Sequence, residues 1–449
     1  MEIVIGILLI ISFVGLAVYA VRGGNLMMGM LIMAVLWTGL PLIGNYLVNN
    51  PEFIVKYQDI IDIGVLKALQ TVFQGGPEGW GPVLVNVIFG AWFGRVLLQT
   101  GVASTLIRKT VELGGDRPVV ICILISIVTT AIFTSMYGAG AVVAMGVIIL
   151  PILISLGIPK TLAVASLMLS VGAGMFINPV QFSIVSAFFQ GPDGKPLYTY
   201  DAQFVRWGAI ALAIQLAVTI LMILFRTRSN GVVRAWSVDK PGKRGADFVP
   251  SAALISPLIP VLLLIVFNIP IILGFIVGSF YALGVCGKLP TFRTACRVVN
   301  KDFHDGVVDT APLVGFLLVV PMFNKAAGLC VPYFNALLGG VIPSNTLVIS
   351  VAFALLAPLG LFRGPLTVFG CGAATLGILN SIGFPVAYVF PLLFVPSTVM
   401  NVSCCITQSW IVWGINYAKV SAREFLKISV VTGWIICILQ QAVTYIMFG

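Results

Sequence analysis

Long apolar blocks alternate with short polar breaks along the whole chain. Blocks near residues 3–21, 25–47, 82–101, 160–190, 204–225, 250–267, 271–287, 306–327, 384–418 and 424–447 predict ten membrane crossings. Each has about the 17 or more residues that a bilayer core of roughly 30 Å demands of a helix. Two pairs of shorter apolar segments are left over, 118–134 with 142–157 and 345–361 with 366–382, and they predict two re-entrant helical hairpins. Residues 51–73, with Glu52, Lys56, Asp59, Asp62 and Lys67, predict an amphipathic interfacial helix. The expected fold class is an all-α polytopic membrane protein.

The second half repeats the first. Ser155-Leu156-Gly157-Ile158-Pro159 returns 226 residues later as Ser381-Ile382-Gly383-Phe384-Pro385. In the same order, Glu78-Gly79 answers Asp305-Gly306, Gly101 answers Gly328, Gly114-Gly115 answers Gly339-Gly340, and Gly138 answers Gly364. A repeat of this length in an apolar chain points to a secondary transporter, whose site lies between the halves.

Composition agrees. Hydrophobic residues make up 59% of the chain and charged residues 9%, too few charges to coat a soluble globule of 449 residues. Met1 to Ala20 lacks a basic start and a small-residue cleavage site, so it reads as a retained helix and not a secretory signal. The net charge of +10 is a topology signal and not a nucleic-acid one. With both termini outside, 18 of the 25 Lys and Arg residues fall in cytoplasmic segments, among them Arg234, Lys240, Lys243 and Arg244 of the central linker. Lys56, Lys67, Lys195 and Arg206 fall outside. Trp80, Tyr198, Tyr200 and Trp207 lie at the expected outer boundary, as an aromatic belt does. The two hairpins then enter from opposite sides, which makes the repeats inverted. The eight cysteines show no CxxC pairing and read as buried thiols.

Four interruptions fall at membrane depth: hairpin tips at residues 135–140 and 363–366, and broken crossings at residues 172–181 and 395–403. Unpaired backbone in a bilayer is tolerated only where protein or a watery cavity receives it. Arg363 is the sharpest candidate, beside Gly364 and Pro365 at a tip whose counterpart in the first half is Tyr137-Gly138. Its planar fork matches a carboxylate; the plainer alternative is an arginine that holds the tip through backbone carbonyls. Ser135, Asn178, Gln181, Ser397, Thr398, Asn401 and Ser403 can read substrate hydroxyls, coordinate Na+ (Ser135, Asn178 and Asn401 foremost), or cap broken helix ends. Arg95 and Lys325 read as snorkelling residues. Glu78, His304, Asp305 and Asp309 sit at expected helix starts, where acids are ordinary dipole partners. No acid falls at the midplane, and Asp309 is the best of a poor set for proton coupling.

The chain resembles the ion transporter superfamily of secondary carriers, nearest to its gluconate permease and citrate symporter branches. The resemblance covers residues 78–449. It rests on the stretch from Gly90-Ala91-Trp92-Phe93-Gly94-Arg95 to Gly101 and on to Lys109, and on the hairpin-then-broken-helix order of each half. It implies elevator-type scaffold and transport domains, a homodimer, a substrate site at the tips and breaks, and a cation gradient of H+ or Na+ with no cofactor. The expected divisions are residues 1–77 (N-terminal scaffold and interfacial helix), 78–225 (first repeat), 226–304 (cytoplasmic linkers and two scaffold helices) and 305–449 (second repeat). The paired Ser-Asn-Thr motifs of the dicarboxylate–sodium branch are missing, so sodium coupling does not carry over. The expected function is symport of a small organic anion, a sugar acid such as gluconate or a hydroxy-, di- or tricarboxylate such as citrate. The expected location is a bacterial inner membrane. The alternative is a cation/proton antiporter. A channel suits the hairpins less well. An enzyme is disfavoured because no His/Cys/Asp cluster, nucleophile elbow or phosphate loop appears.

Overall fold

A computed structural model describes residues 1–22, 24–190, 196–230, 249–340, 342–370 and 372–449. Lys195 and most of the central linker, with Arg234, Lys240, Lys243 and Arg244, lie outside the described residues. The described residues form helices and turns, with no strand longer than a single bridge between Gln190 and Pro196.

Helices α1 (Glu2–Val21) and α2 (Leu26–Leu47) open the chain. The expected interfacial helix is divided into three short pieces, Pro51–Lys56, Gln58–Ile61 and Val65–Leu69. Phe53, Ala68 and, in the turn that follows, Val72 are buried, while most other residues of the stretch are exposed. It leads through the π-helical turn Gln70–Gln74 into α3 (Gly81–Gln99), followed by α4 (Val102–Gly114). A short pair, α5 (Pro118–Phe133) and α6 (Ala139–Ser155), falls below a full crossing in length. The next span is broken into α7 (Lys160–Gly174) and α8 (Pro179–Ser186), bent by 72°. Helix α9 (Ala202–Asn230) crosses in one piece.

Residues 250–267 and 271–287, read as two crossings, form a turn of 3-10 helix, Ser251–Leu258, continued by α10 (Ile259–Phe267), and then α11 (Ile271–Val285), apolar helices shorter than the longest spans. Between α10 and α11 Asn268 takes a left-handed φ of 53° and Pro270 caps the next helix. The crossing expected at 306–327 is part of one 47-residue helix, α12 (Phe292–Leu338), whose apolar window is Val314–Leu338. At 1.5 Å per residue α12 runs roughly 70 Å, well beyond a bilayer core. The division expected at residue 304 therefore lies inside a continuous helix. His304, Asp305 and Asp309 are in its interior, so their reading as helix-start dipole partners fails.

After α12 come α13 (Thr346–Leu355), a kinked 3-10 segment Ala357–Arg363 bent 61° from it, and α14 (Gly372–Ile382). Then α15 (Val386–Pro396) passes into a π-helical stretch, Ser397–Cys404, before α16 (Ser409–Ala418), and α17 (Ala422–Phe448) closes the chain. The second break thus sits slightly later than residues 395–403. Among the described residues seven helices are long and apolar enough to cross a membrane, or up to nine if each bent pair is one span, against the ten expected.

Two buried clusters hold these helices. One joins α1 and α2 to the C-terminal part of α12: Trp37 lies 4.9 Å from Phe323 and 5.3 Å from Phe334, ring to ring. Tyr333 Oη donates to Asn45 Oδ1 at 2.6 Å, and Asn45 in turn donates to the carbonyls of Ile60 and Ile61. The larger cluster takes in most of the other helices. Outward faces stay apolar. On α1, Ile7, Ile11, Val14 and Val18 are exposed at helical spacing, a stripe suited to lipid and costly in water. The protein is an integral membrane protein.

The aromatic belt is the other correction. Trp80, Tyr198 and Trp207 are buried inside the protein. Tyr198 stacks on Phe390 at 4.2 Å, Trp80 meets Phe188 edge-on at 5.0 Å, and Trp207 Nε1 donates to Thr444 Oγ1 at 3.0 Å. An amphipathic ring at the end of an apolar block suits a membrane interface and a helix–helix contact equally; packing decided for the second.

Candidate functional site

Each short pair brings its turn against a break. Asn178 caps α8: its Oδ1 accepts from the N–H groups of Val180 (2.9 Å) and Gln181 (3.1 Å), because Pro179 can start a helix but not donate to its cap. Its Nδ2 donates to the carbonyls of Phe133 and Met136, both at 2.9 Å. Both donors and both lone pairs are used, so Asn178 spends its side chain joining the first break to the first turn. Ser135 likewise donates to the Pro257 carbonyl. The freed carbonyl of Ile177 accepts from Tyr200 Oη at 2.7 Å, and that of Ser170 from Thr130 Oγ1 at 3.1 Å. Broken backbone is covered here by protein.

At the second break, the Val368 N–H donates to Ser397 Oγ at 3.0 Å. Asn401 donates to Thr367 Oγ1 (3.2 Å) and accepts from Gln408 Nε2 (3.1 Å). Ser403 donates to the Thr398 carbonyl and accepts from Gln215 Nε2 at 3.1 Å. One side-chain bond joins the breaks, Gln181 Nε2 to Thr398 Oγ1 at 3.4 Å. Gln181 Oε1 and Gln215 Oε1 are buried acceptors with no hydrogen-bond partner among the described residues. The structure therefore gathers Gln181, Ser397, Thr398, Asn401 and Ser403 into one buried polar layer. Ser135, Asn178 and Asn401, the three residues expected to share a sodium ion, hydrogen-bond to separate partners among the described residues.

Arg363 stands apart. It is buried at 9% exposure, with φ of 61° directly after Phe362 at 51°. Two consecutive non-glycine residues in the left-handed region cost on the order of 1–2 kcal/mol each. Gly364 follows it where any Cβ would strike the Leu359 carbonyl, so the turn admits no side chain there. The guanidinium carbon lies 5.0 Å from the Phe316 ring centre, a cation–π contact with α12. Among the described residues it pairs with no carboxylate, and its buried Nε has no acceptor. The reading as an arginine tied to backbone carbonyls finds no such bond.

Sequence reasoning missed a third component. Arg95 of α3 pairs with Asp305 at 3.7 Å and Asp309 at 3.6 Å, so it is not a snorkelling side chain. Arg95 and Asp309 border a small cleft of about 10 Å³, room for about one water, lined also by Tyr137, Gly138, Gly140 and Thr310. Gly138, with φ of 106°, lets the chain turn into α6, and a Cβ on Gly140 would come within 2.8 Å of the Asp309 carboxylate. On α12, Asp305, Asp309 and Phe316 follow at i, i+4 and i+11, one face of the helix. Both turns thus meet the same stripe of α12, Tyr137 beside Asp309 and Arg363 over Phe316. The acidic spacing Asp305-x-x-x-Asp309 was the available signal.

Asp302, a turn earlier, is 3% exposed and its Oδ2 has no partner among the described residues. Burial raises its carboxyl above the usual carboxylate range; Asp305 adds to this, and Lys301 and Arg95 oppose it. A carboxyl raised in the folded state lowers stability once pH rises through that raised value. Asp302→Asn is expected to raise the apparent melting temperature at neutral pH by a few degrees. The gain is expected to vanish below about pH 4, where the unfolded carboxyl is also protonated. Thermal melts across pH check this, and an equal shift at all pH values would exclude the charge as its cause.

No known protein family matches the chain by sequence, and no curated protein is detectably similar. Among solved structures, the chain is similar to the Alcanivorax borkumensis YdaH transporter, described as having an unusual topology. The TM-score is 0.64 over 93% of this chain and 98% of that one, with 12% sequence identity. The gluconate and citrate branches rest on the sequence resemblance alone. At this identity the likeness is one of fold: the chain is built as that transporter is built.

Proposed function

We propose that the protein is a secondary active transporter that carries a small organic anion, a sugar acid or a hydroxy-, di- or tricarboxylate, by cation-coupled symport with alternating access. The observation that carries this reading is Arg363: a buried guanidinium, in strained backbone, with no carboxylate partner among the described residues. An unpaired buried charge is unfavourable, and a carboxylate ligand relieves it through paired charge-assisted bonds. The amide and hydroxyl layer behind it, with Gln181 Oε1 still unpaired, suits the hydroxyls of such an acid. The α5–α6 and α13–α14 pairs are read as re-entrant hairpins, and the halves as inverted repeats moving elevator-fashion against α1, α2 and α12. The test is a thermal-shift screen against gluconate, citrate, C4-dicarboxylates and lactate, with and without Na+, followed by uptake into proteoliposomes. A ligand that binds only the folded state raises its melting temperature. Absence of any acid-dependent shift and of any acid uptake overturns the reading.

The Arg95–Asp305–Asp309 cluster favours H+ as the coupling ion. Asp309 sits outside the apolar window of α12; burial and Asp305 raise its carboxyl above the usual range, and Arg95 opposes them. Asp309→Asn is expected to remove the response of uptake to a pH gradient while acid-for-acid exchange persists. Uptake that follows Na+ and ignores this substitution assigns coupling elsewhere. The same cluster is what a cation/proton antiporter would use; that reading gains if pH or Na+ alone shifts the melt and no acid does.

A further inference from the structure

A second, larger cleft of about 370 Å³ opens between α12 and α14, bordered by Phe188, Gln190, Asn324, Lys325, Gly328 and Asn380. Its size is at the lower end of the roughly 300–1,000 Å³ of small-molecule sites. Among the described residues its polar lining is one ammonium and three amides, with no carboxylate. Lys325 borders this space and makes no hydrogen bond or ion pair with any described residue. An added Cβ on Gly328 would meet no atom within 4 Å, so this helical position forms open floor.

The cleft is continuous with the element that carries Arg363. Its α14 wall, Leu376 to Asn380, is the arm that descends from the Arg363 turn. Phe188 lines it on one side and packs edge-on against Phe369 of that turn at 6.2 Å. Asp309, paired with Arg95 of α3, lies toward the opposite end of α12, seven residues before Phe316, whereas Lys325 lies nine residues after it.

We propose that the Lys325 cleft is a second anion site, an antechamber where a hydroxylated carboxylate is held by Lys325 and the amides of Asn324, Asn380 and Gln190 before it reaches Arg363. The proposal rests on the transport reading and deepens it. The topology expected from the charge bias of the loops puts this mouth on the outside. A point charge plus neutral amides captures an anion loosely and without a fixed geometry, which suits a waiting position; the arginine fork beyond it selects. Lys325 raises the local anion concentration, an effect that salt screens.

Two measurements test it. In proteoliposomes loaded by gluconate or citrate uptake, Lys325→Gln is expected to raise KM about tenfold with kcat within about twofold, the signature of lost capture without lost transition-state binding. Lys325→Arg is expected to restore KM, and Gly328→Leu, which fills the floor, to raise it as Lys325→Gln does. An unchanged KM in Lys325→Gln overturns the proposal. The second readout needs no transport. In a background cleared of native thiols, a cysteine introduced by Gly328→Cys is expected to react faster with an anionic than a cationic methanethiosulfonate. Millimolar citrate or gluconate is expected to slow it, and Lys325→Gln to abolish both effects. Equal rates with Lys325 present overturn the antechamber. Loss of wild-type uptake with acid protection intact instead sinks the transport reading and leaves the site. Vesicles of phosphatidylcholine alone and with phosphatidylglycerol separate the sources: an effect of Lys325 seen only with phosphatidylglycerol makes the occupant a lipid headgroup and overturns the proposal.

Discussion

Arg363→Lys is expected to cut uptake of the carried acid by about ten- to a hundredfold at low substrate, and Arg363→Ala nearly to abolish it. Each figure follows from the loss of one or both charge-assisted bonds, about 1.5–3 kcal/mol apiece, at about 1.4 kcal/mol per tenfold. Lysine keeps the charge and loses the planar fork, and it also loses the flat face that now lies 5.0 Å from the Phe316 ring. The fold itself is expected to tolerate the change. The unliganded guanidinium makes no hydrogen bond among the described residues, so removing it breaks none and relieves an uncompensated buried charge. Melting temperature without ligand should therefore hold or rise in Arg363→Ala, while the shift produced by the acid disappears. Wild-type uptake by a well-expressed alanine variant would remove Arg363 from the site. A collapse of the unliganded melt would make it a structural residue of the turn.

The second large effect is expected at Gly174. A Cβ there would lie 2.5 Å from the Thr130 carbonyl oxygen and 2.8 Å from the Phe133 carbonyl carbon, backbone atoms of α5 that cannot swing aside. Gly174→Ala must separate α5 from α7 at the point where Asn178 holds the break to the Phe133 and Met136 carbonyls. Overpacking of this kind costs about 1–3 kcal/mol, and here it pulls at two further hydrogen bonds. A melting temperature lowered by several degrees and uptake lost together are the expected outcome. Gly39→Ala is the control: no atom lies within 4 Å of its added Cβ in mid-α2, and a helix gains about 0.5–1 kcal/mol from the exchange. Equal behaviour of the two variants would show that the α5–α7 contact is looser than the distances imply.

Much of the site could be read in the chain before its packing was known. Gly138 at a turn, Asn178-Pro179 at a helix start and Gly364-Pro365 after an arginine are local signals, because caps and left-handed turns are decided by neighbours in sequence. The polar layer was legible as a set of residues and not as a set of contacts. Asn178 shows the difference: its position at a break was correct, yet its side chain is fully used inside the fold. The acidic residues were misplaced because hydropathy draws a helix only where it is apolar. Residues 292–313 are charged and helical at once, and continuity into the apolar window of α12 is a matter of backbone hydrogen bonds to which hydropathy is blind.

By itself the sequence determined that this is an all-helical membrane protein, where most of its apolar blocks begin and end, and where its helices break. Those properties follow from a local demand, since a bilayer requires each spanning segment to satisfy its own backbone and to be apolar along its own length. Tertiary structure alone decided that Arg95 meets Asp305 and Asp309 across some 210 residues of chain, that Arg363 rests on Phe316, that Lys325 faces a cleft and that Trp207 faces a neighbour. Such pairings depend on how helices are set beside one another, and in lipid that choice is made by close packing and a few hydrogen bonds between distant residues, not by the hydrophobicity that marks the helices out.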